Sequence, residues 1–130
     1  MSKDRLHHSE IVAGTRSVDL FEPEGPFDDD VVGAFRDSIT ELLSRGRHDV
    51  RVGCGRITRL DSTALGVLIG AYTALRQHSG RLALDYQGNR RIRDLLLMCR
   101  LDEMLGYDPN QDDPDGGTAG KSSPLTSPER

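Results

Sequence analysis

An acid followed by two hydroxyls, Asp61-Ser62-Thr63, stands mid-chain, where a strand-like run gives way to the most regular helical pattern in the sequence. A carboxylate or hydroxyl at such a junction caps a helix by accepting a bond from one of its unpaired first N–H groups. The same position also displays a hydroxyl for covalent modification. Both readings stand on spacing alone. Behind the junction, Ser62, Gly66, Gly70 and Ala74 recur every four residues, a strip of small side chains on one helix face. A glycine inside a helix costs up to about 1 kcal/mol relative to alanine, so something should offset the strip. The offset is either close packing on the sheet or close approach by a partner.

Other chemistry-bearing residues do not assemble into a site. His7, His8, His48 and His78 are scattered, with none at metal-ligand spacing to a cysteine or acid. Cys54 and Cys99 form no CxxC pair and read as small core hydrophobes in a reducing compartment. Asp28-Asp29-Asp30 points in different directions on a helix and reads as a solvated cap rather than a metal cluster. Gly116 to Ser122 imitates a phosphate-binding loop, but Asp115 stands where the first glycine belongs, and no strand precedes it. Arg90, Arg91 and Arg93 crowd the start of a helix and read as a solvated face or a receiver for an acidic group. No Ser/His/Asp set falls together, and an enzyme is not expected.

The elements that position the junction follow from periodicity. Residues 1–9 are polar and aperiodic and read as a flexible lead-in, with a short edge strand over Glu10–Ala13. Val18–Glu22 alternates as a strand, ended by Pro23 and Gly25-Pro26. Val31, Ala34, Phe35, Ser38, Ile39 and Leu42 form a helical stripe that Asp28–Asp30 opens and Gly46 terminates. One strand is expected over Asp49–Leu60, and a helix over Thr63–Ser79 on Leu65, Leu68, Ile69, Tyr72 and Leu75. Arg81–Tyr86 is a further strand, Arg90–Met98 a third helix, and Leu101–Leu105 a short helical turn. The order is that of an α/β fold with parallel strand pairs and right-handed crossovers. Residues 10–108 form the domain, and the acidic, Ser/Pro-rich 109–130 reads as a disordered tail.

Composition narrows the function classes. At 130 residues the chain is one domain with length to spare, and no apolar run approaches the ~20 residues of a membrane span. The first residues lack the apolar centre of a signal peptide, so a cytoplasmic location is expected. The net charge is −4, of which −3 falls from Asp108 onward, leaving the domain near neutral. A general nucleic-acid binder would need a basic face.

Leu60-Asp61-Ser62-Thr63-Ala64-Leu65-Gly66-Val67-Leu68 resembles the signature of the STAS-domain anti-sigma factor antagonists, usually Asp-Ser-[Ser/Thr]-Gly-Leu-Gly. Gly25-Pro26-Phe27-Asp28, Gly80-Arg81-Leu82-Ala83-Leu84 and Arg91-Ile92-Arg93-Asp94-Leu95-Leu96 match weaker blocks of the same family. The resemblance implies a STAS fold: a mixed four- to five-stranded sheet packed against three to four helices. It implies Ser62 as phosphoacceptor of an anti-sigma factor that is also a serine kinase, with a PP2C-type phosphatase reversing the step. Asp28, Asp61, Thr63, Gly66 and Gly70 then flank the site and meet the partner, and no cofactor or metal is needed. The chain departs from the pattern at Ala64 and Arg100, where glycine is usual, at Ser79 in place of a glycine, and at Gly53, where Asp or Asn is common. These departures keep a second reading open, a STAS module that binds partners without being phosphorylated.

Overall fold

The structure, a computed structural model, describes residues 5–107. The tail 109–130, with its Gly116–Ser122 loop mimic, lies outside the described residues, as do residues 1–4. Strands β1 (Leu6–Ala13) and β2 (Arg16–Pro23) form an antiparallel hairpin. Its two-residue turn is Gly14-Thr15, with Gly14 at φ 66°, the positive first position of a type II′ turn. β1 therefore corrects the expected lead-in: Leu6 to Ser9 are already strand, in register with Leu20 to Pro23. Its polar face misled the pattern. His8 stacks on Phe21 at 4.4 Å, and its Nε2 lies 2.9 Å from the Asp19 carboxylate. Buried Asp19 also accepts from Arg47 Nε at 2.8 Å, and Arg47 reaches Glu10 at 2.6 Å, so polar residues hold this edge in place.

A short strand β3 (Gly25–Phe27) follows, then helix α1 (Asp29–Ser44), which buries Val31, Val32, Ala34, Phe35, Ile39 and Leu42. The run expected as one strand over Asp49–Leu60 is two, β4 (Asp49–Gly53) and β5 (Ile57–Leu60), in different sheets. The break at Cys54–Arg56 is fixed from outside. Cys54 N donates to Asp85 O at 2.9 Å, and Asn89 Nδ2 donates to Cys54 O at 2.7 Å and to Ile57 O at 2.9 Å. Helix α2 (Ser62–Gln77), strand β6 (Arg81–Asp85), helix α3 (Arg90–Met98), the one-turn α4 (Asp102–Leu105) and β7 (Gly106–Tyr107) complete the described chain.

The main sheet runs β1-β2-β4-β6-β7, antiparallel at β1/β2 and parallel elsewhere, as expected of the mixed α/β sheet. β3 and β5 pair parallel as a separate two-stranded unit. A single core joins Phe21, Val52 and Leu84 from the sheet to Phe35, Leu68 and Leu96 from the helices. Phe35 sits edge-on to both Phe21 and Phe27, at 5.7 and 5.9 Å between centroids, and so seats α1 on the sheet and on β3.

Candidate functional site

The pairing of β3 with β5 builds the site. Phe27 and Leu60 are register partners and both are buried, so the two strands end side by side. One residue further, each chain segment turns into a helix, and each turn is made by an aspartate. Asp28 caps α1, its Oδ1 accepting from Val31 N at 3.3 Å; Asp61 caps α2, its Oδ1 accepting from Ala64 N at 2.9 Å. Two helix N-termini thus stand next to each other, each with its aspartate at the mouth. Ser62 is the first residue of α2, and Asp61, Ser62 and Thr63 are all exposed. Among the described residues the Ser62 hydroxyl has no hydrogen-bond partner. The cap and the displayed hydroxyl therefore coexist, the first on Asp61 and the second on Ser62.

Arg5 joins the site, a residue that the aperiodic N-terminus gave no reason to single out. Its Nη2 donates to Asp28 Oδ1 at 2.8 Å and its Nη1 to Pro26 O at 3.1 Å. The Arg5 hydrogen bond, helped by the Val31 N–H, holds the Asp28 carboxyl below the ordinary aspartate range. Asp29 and Asp30 extend the acidic surface in the exposed first turn of α1, whereas the first turn of α2 holds no acid. Among the described residues no cluster of three or more His, Cys, Asp or Glu is placed to hold a metal.

Gly66 and Gly70 resolve the two offsets left open by spacing. A methyl group built on either meets nothing within 4 Å beyond the helix itself, so the sheet does not require them. Both line a groove of about 460 Å³ between α1 and α2, with Phe35, Ile39, Thr63 and Ala71 among its walls. The strip begins at the hydroxyls and runs along the helix away from them. Ala64 is helical and fully buried, so alanine meets no backbone obstacle there. At Gly53 the absent side chain is replaced by Gln87, whose carboxamide lies where a Cβ would go and accepts from Gly55 N at 2.9 Å. Ser79 and Arg100 both take left-handed backbone, φ 62° and 60°, at helix ends where glycine is the unstrained choice. Arg90, Arg91 and Arg93 lie on α3, and of these Arg91 reaches β5, its Nη1 donating to Thr58 O at 3.1 Å.

The chain matches the family described as Mlab, STAS domain over residues 15–106. Among curated proteins none matches. Among solved structures it is similar to the anti-sigma factor antagonist SpoIIAA in its unphosphorylated form, at 18% identity and a TM-score of 0.64, covering 78% of this chain and 87% of that one. The Bacillus cell fate determinant SpoIIAA in the phosphorylated form aligns at 19% identity and a TM-score of 0.60, covering 78% and 90%. An anti-sigma factor antagonist from Mycobacterium paratuberculosis aligns at 17% identity and a TM-score of 0.58, covering 80% and 86%. At these identities the likeness is one of fold. No helix among the described residues is long and apolar enough to cross a membrane.

Proposed function

The chain belongs to the STAS-domain family, and on that premise we propose that it is an anti-sigma factor antagonist whose partner binding is switched by phosphate on Ser62. In this reading the unphosphorylated form docks on an anti-sigma factor and displaces the sigma factor. The anti-sigma factor, as a serine kinase, supplies ATP and the catalytic base. Ser62 Oγ attacks the γ-phosphorus, its proton passes to the kinase base, and ADP leaves. A PP2C-type phosphatase hydrolyses the ester and resets the switch. The chain itself is substrate and not enzyme.

The observation that carries this reading is the Ser62 hydroxyl, exposed, without a partner and on the first turn of α2 beside two N-capping aspartates. Ser62 does no capping, so a kinase can take its hydroxyl without undoing the helix start. The first N–H groups of α2 and its dipole favour an added anion, so the fold tolerates a phosphate there. Similarity to an antagonist solved in both unphosphorylated and phosphorylated forms supports the same switch.

The test is phosphopeptide mapping after incubation with ATP and the cognate anti-sigma kinase, with affinity for that kinase measured in parallel. Label is expected on Ser62, is lost in Ser62→Ala, and Ser62→Asp weakens binding about a hundredfold, the equivalent of roughly 2.7 kcal/mol. Full labelling of Ser62→Ala rejects the assignment. The groove lined by Gly66 and Gly70 is also compatible with a second reading, a STAS docking module with no working switch. Unchanged affinity of Ser62→Asp would decide for it.

A further inference from the structure

Two of the four histidines that the sequence scatters meet in the fold. His48 directly precedes β4, and His78 is the C-cap of α2. Their rings lie 5.3 Å apart between centroids, at an angle of 43°. Ring pairs gain most when offset and parallel or edge-on, and this angle is neither, so ring attraction contributes little to the meeting. The main chain makes it. Ser79 turns left-handed at φ 62°, Gly80 passes so close that a Cβ there would overlap His48 O and Cβ, and Arg81 N donates to His48 O at 2.9 Å. Backbone contacts thus place both side chains, His48 half-buried and His78 exposed.

Imidazole is a ligand for zinc, nickel and copper. Two imidazoles on one tetrahedral ion, each with its nitrogen about 2.0–2.1 Å from the metal, hold their ring centres about 5 Å apart. The separation of His48 and His78 is of that size. His78 is also held in a tautomer that can ligate. Its Nδ1 lies 2.9 Å from Ala74 O, and a carbonyl only accepts, so the proton sits on Nδ1 and the neutral ring keeps its Nε2 lone pair. Ligating histidines commonly carry such a bond on their second nitrogen. Among the described residues neither ring nitrogen of His48 has a hydrogen-bond partner to give up. The charge setting helps. The C-terminal end of α2 is the negative end of its dipole and favours a cation. Two nearby guanidiniums are engaged elsewhere, Arg76 over the Tyr72 ring at 5.9 Å and Arg81 with Asp49 at 3.4 Å. We propose that His48 and His78 form a two-histidine site for zinc, nickel or copper, with water in the remaining positions, that clamps the end of α2 to the start of β4. The sixteen residues of α2 put this site about 24 Å from Ser62, so the ion fastens the helix without covering the phosphoacceptor.

The experiment titrates Zn²⁺ into the full chain carrying Cys99→Ser, which removes the exposed thiol as a rival ligand. About one equivalent should bind and raise Tm, because an ion held by the folded chain stabilises it by mass action. In the same background His48→Gln and His78→Gln should each weaken binding tenfold or more and abolish the rise in Tm, while His7→Gln should change neither. Unchanged affinity in His48→Gln overturns the proposal, since a loss in His78→Gln alone would be adventitious binding to one exposed ring. An equal loss in His7→Gln overturns it too. Amide spectra of the wild-type chain with substoichiometric Cu²⁺ decide the matter even where a variant misfolds. Broadening should centre on Arg47–Asp49 and Arg76–Arg81, and broadening confined to other residues rejects the site.

Discussion

Replacing Gly66 and Gly70 by alanine tests whether the strip on α2 is kept for something outside this chain. Alanine is favoured over glycine in a helix interior by about 0.8–1.0 kcal/mol per site. Both positions lie inside the sixteen-residue α2, are exposed, and have no atom beyond the helix within 4 Å of a new Cβ. No clash subtracts from the gain, and the double variant should be more stable by about 1.5–2 kcal/mol. At about 4–8 °C per kcal/mol for a small domain, Tm rises by roughly 10 °C. Urea unfolding should show a higher midpoint at an unchanged m-value, since no extra surface is exposed. A lower midpoint would refute the reasoning outright, because the glycines would then be needed by the chain's own packing. Gly70→Leu separates stability from docking. It should keep a raised midpoint, yet it fills the α1–α2 groove and should weaken a partner seated there tenfold or more, about 1.4 kcal/mol.

The two left-handed helix ends should respond in the same direction for a different reason. Ser79→Gly and Arg100→Gly relieve backbone held at φ 62° and 60° and should each stabilise by about 1 kcal/mol, read as a shift in urea midpoint; a loss at both would show that the side chains, not the backbone, set those turns. The thiols should separate by burial. Exposed Cys99 reacts with a thiol reagent at neutral pH, while Cys54, buried and with its thiol pushed up to about 12 by burial first and by the Asp85 charge second, reacts only on unfolding. Because the unfolded thiol ionises near 8.5 and the folded one does not, Cys54 favours the fold less and less as pH rises from about 8.5 towards 12; Cys54→Ala should flatten that decline, and two fast equivalents in the native chain would contradict the burial.

What the sequence displayed and what it hid divide along local and non-local physics. The three long helices declare themselves because stripes such as Val31, Phe35 and Leu42 repeat within one element, and an aspartate or asparagine stands at each start. Asp61 as cap and Ser62 as displayed hydroxyl were legible for the same reason. Of β1 the expected Glu10–Ala13 was legible but Leu6 to Ser9 was not, because a polar residue there, His8, is satisfied by Asp19 from the neighbouring strand. The break between β4 and β5 depends on Asp85 and Asn89, more than thirty residues downstream. Nor could any local pattern bring Asp28 beside Asp61. That neighbourhood exists only because Phe27 and Leu60 pair across two strands of three and four residues. Gly53 with Gln87 is the same lesson in a side chain: the filler of the space lies on another loop.

The paired helix starts also say where a phosphate on Ser62 would exert its effect. In the free chain Asp28 is held ionised by Arg5, Asp61 is tied to its cap, and water screens both. Two like charges about 4 Å apart repel by only about 1 kcal/mol in water, and the N–H groups of α2 offset part of that. The fold should therefore hardly register the modification. A docked partner changes the medium. Laid over Asp28, Asp61 and the start of the Gly66–Gly70 groove, it excludes water, and the same repulsion grows towards about 4 kcal/mol at an effective dielectric near 20. The cost of the phosphate then falls almost wholly on the complex. On this reading the junction separates two jobs that one residue could not do together: Asp61 keeps the helix in either state, and Ser62 is left free to change the charge that a partner meets.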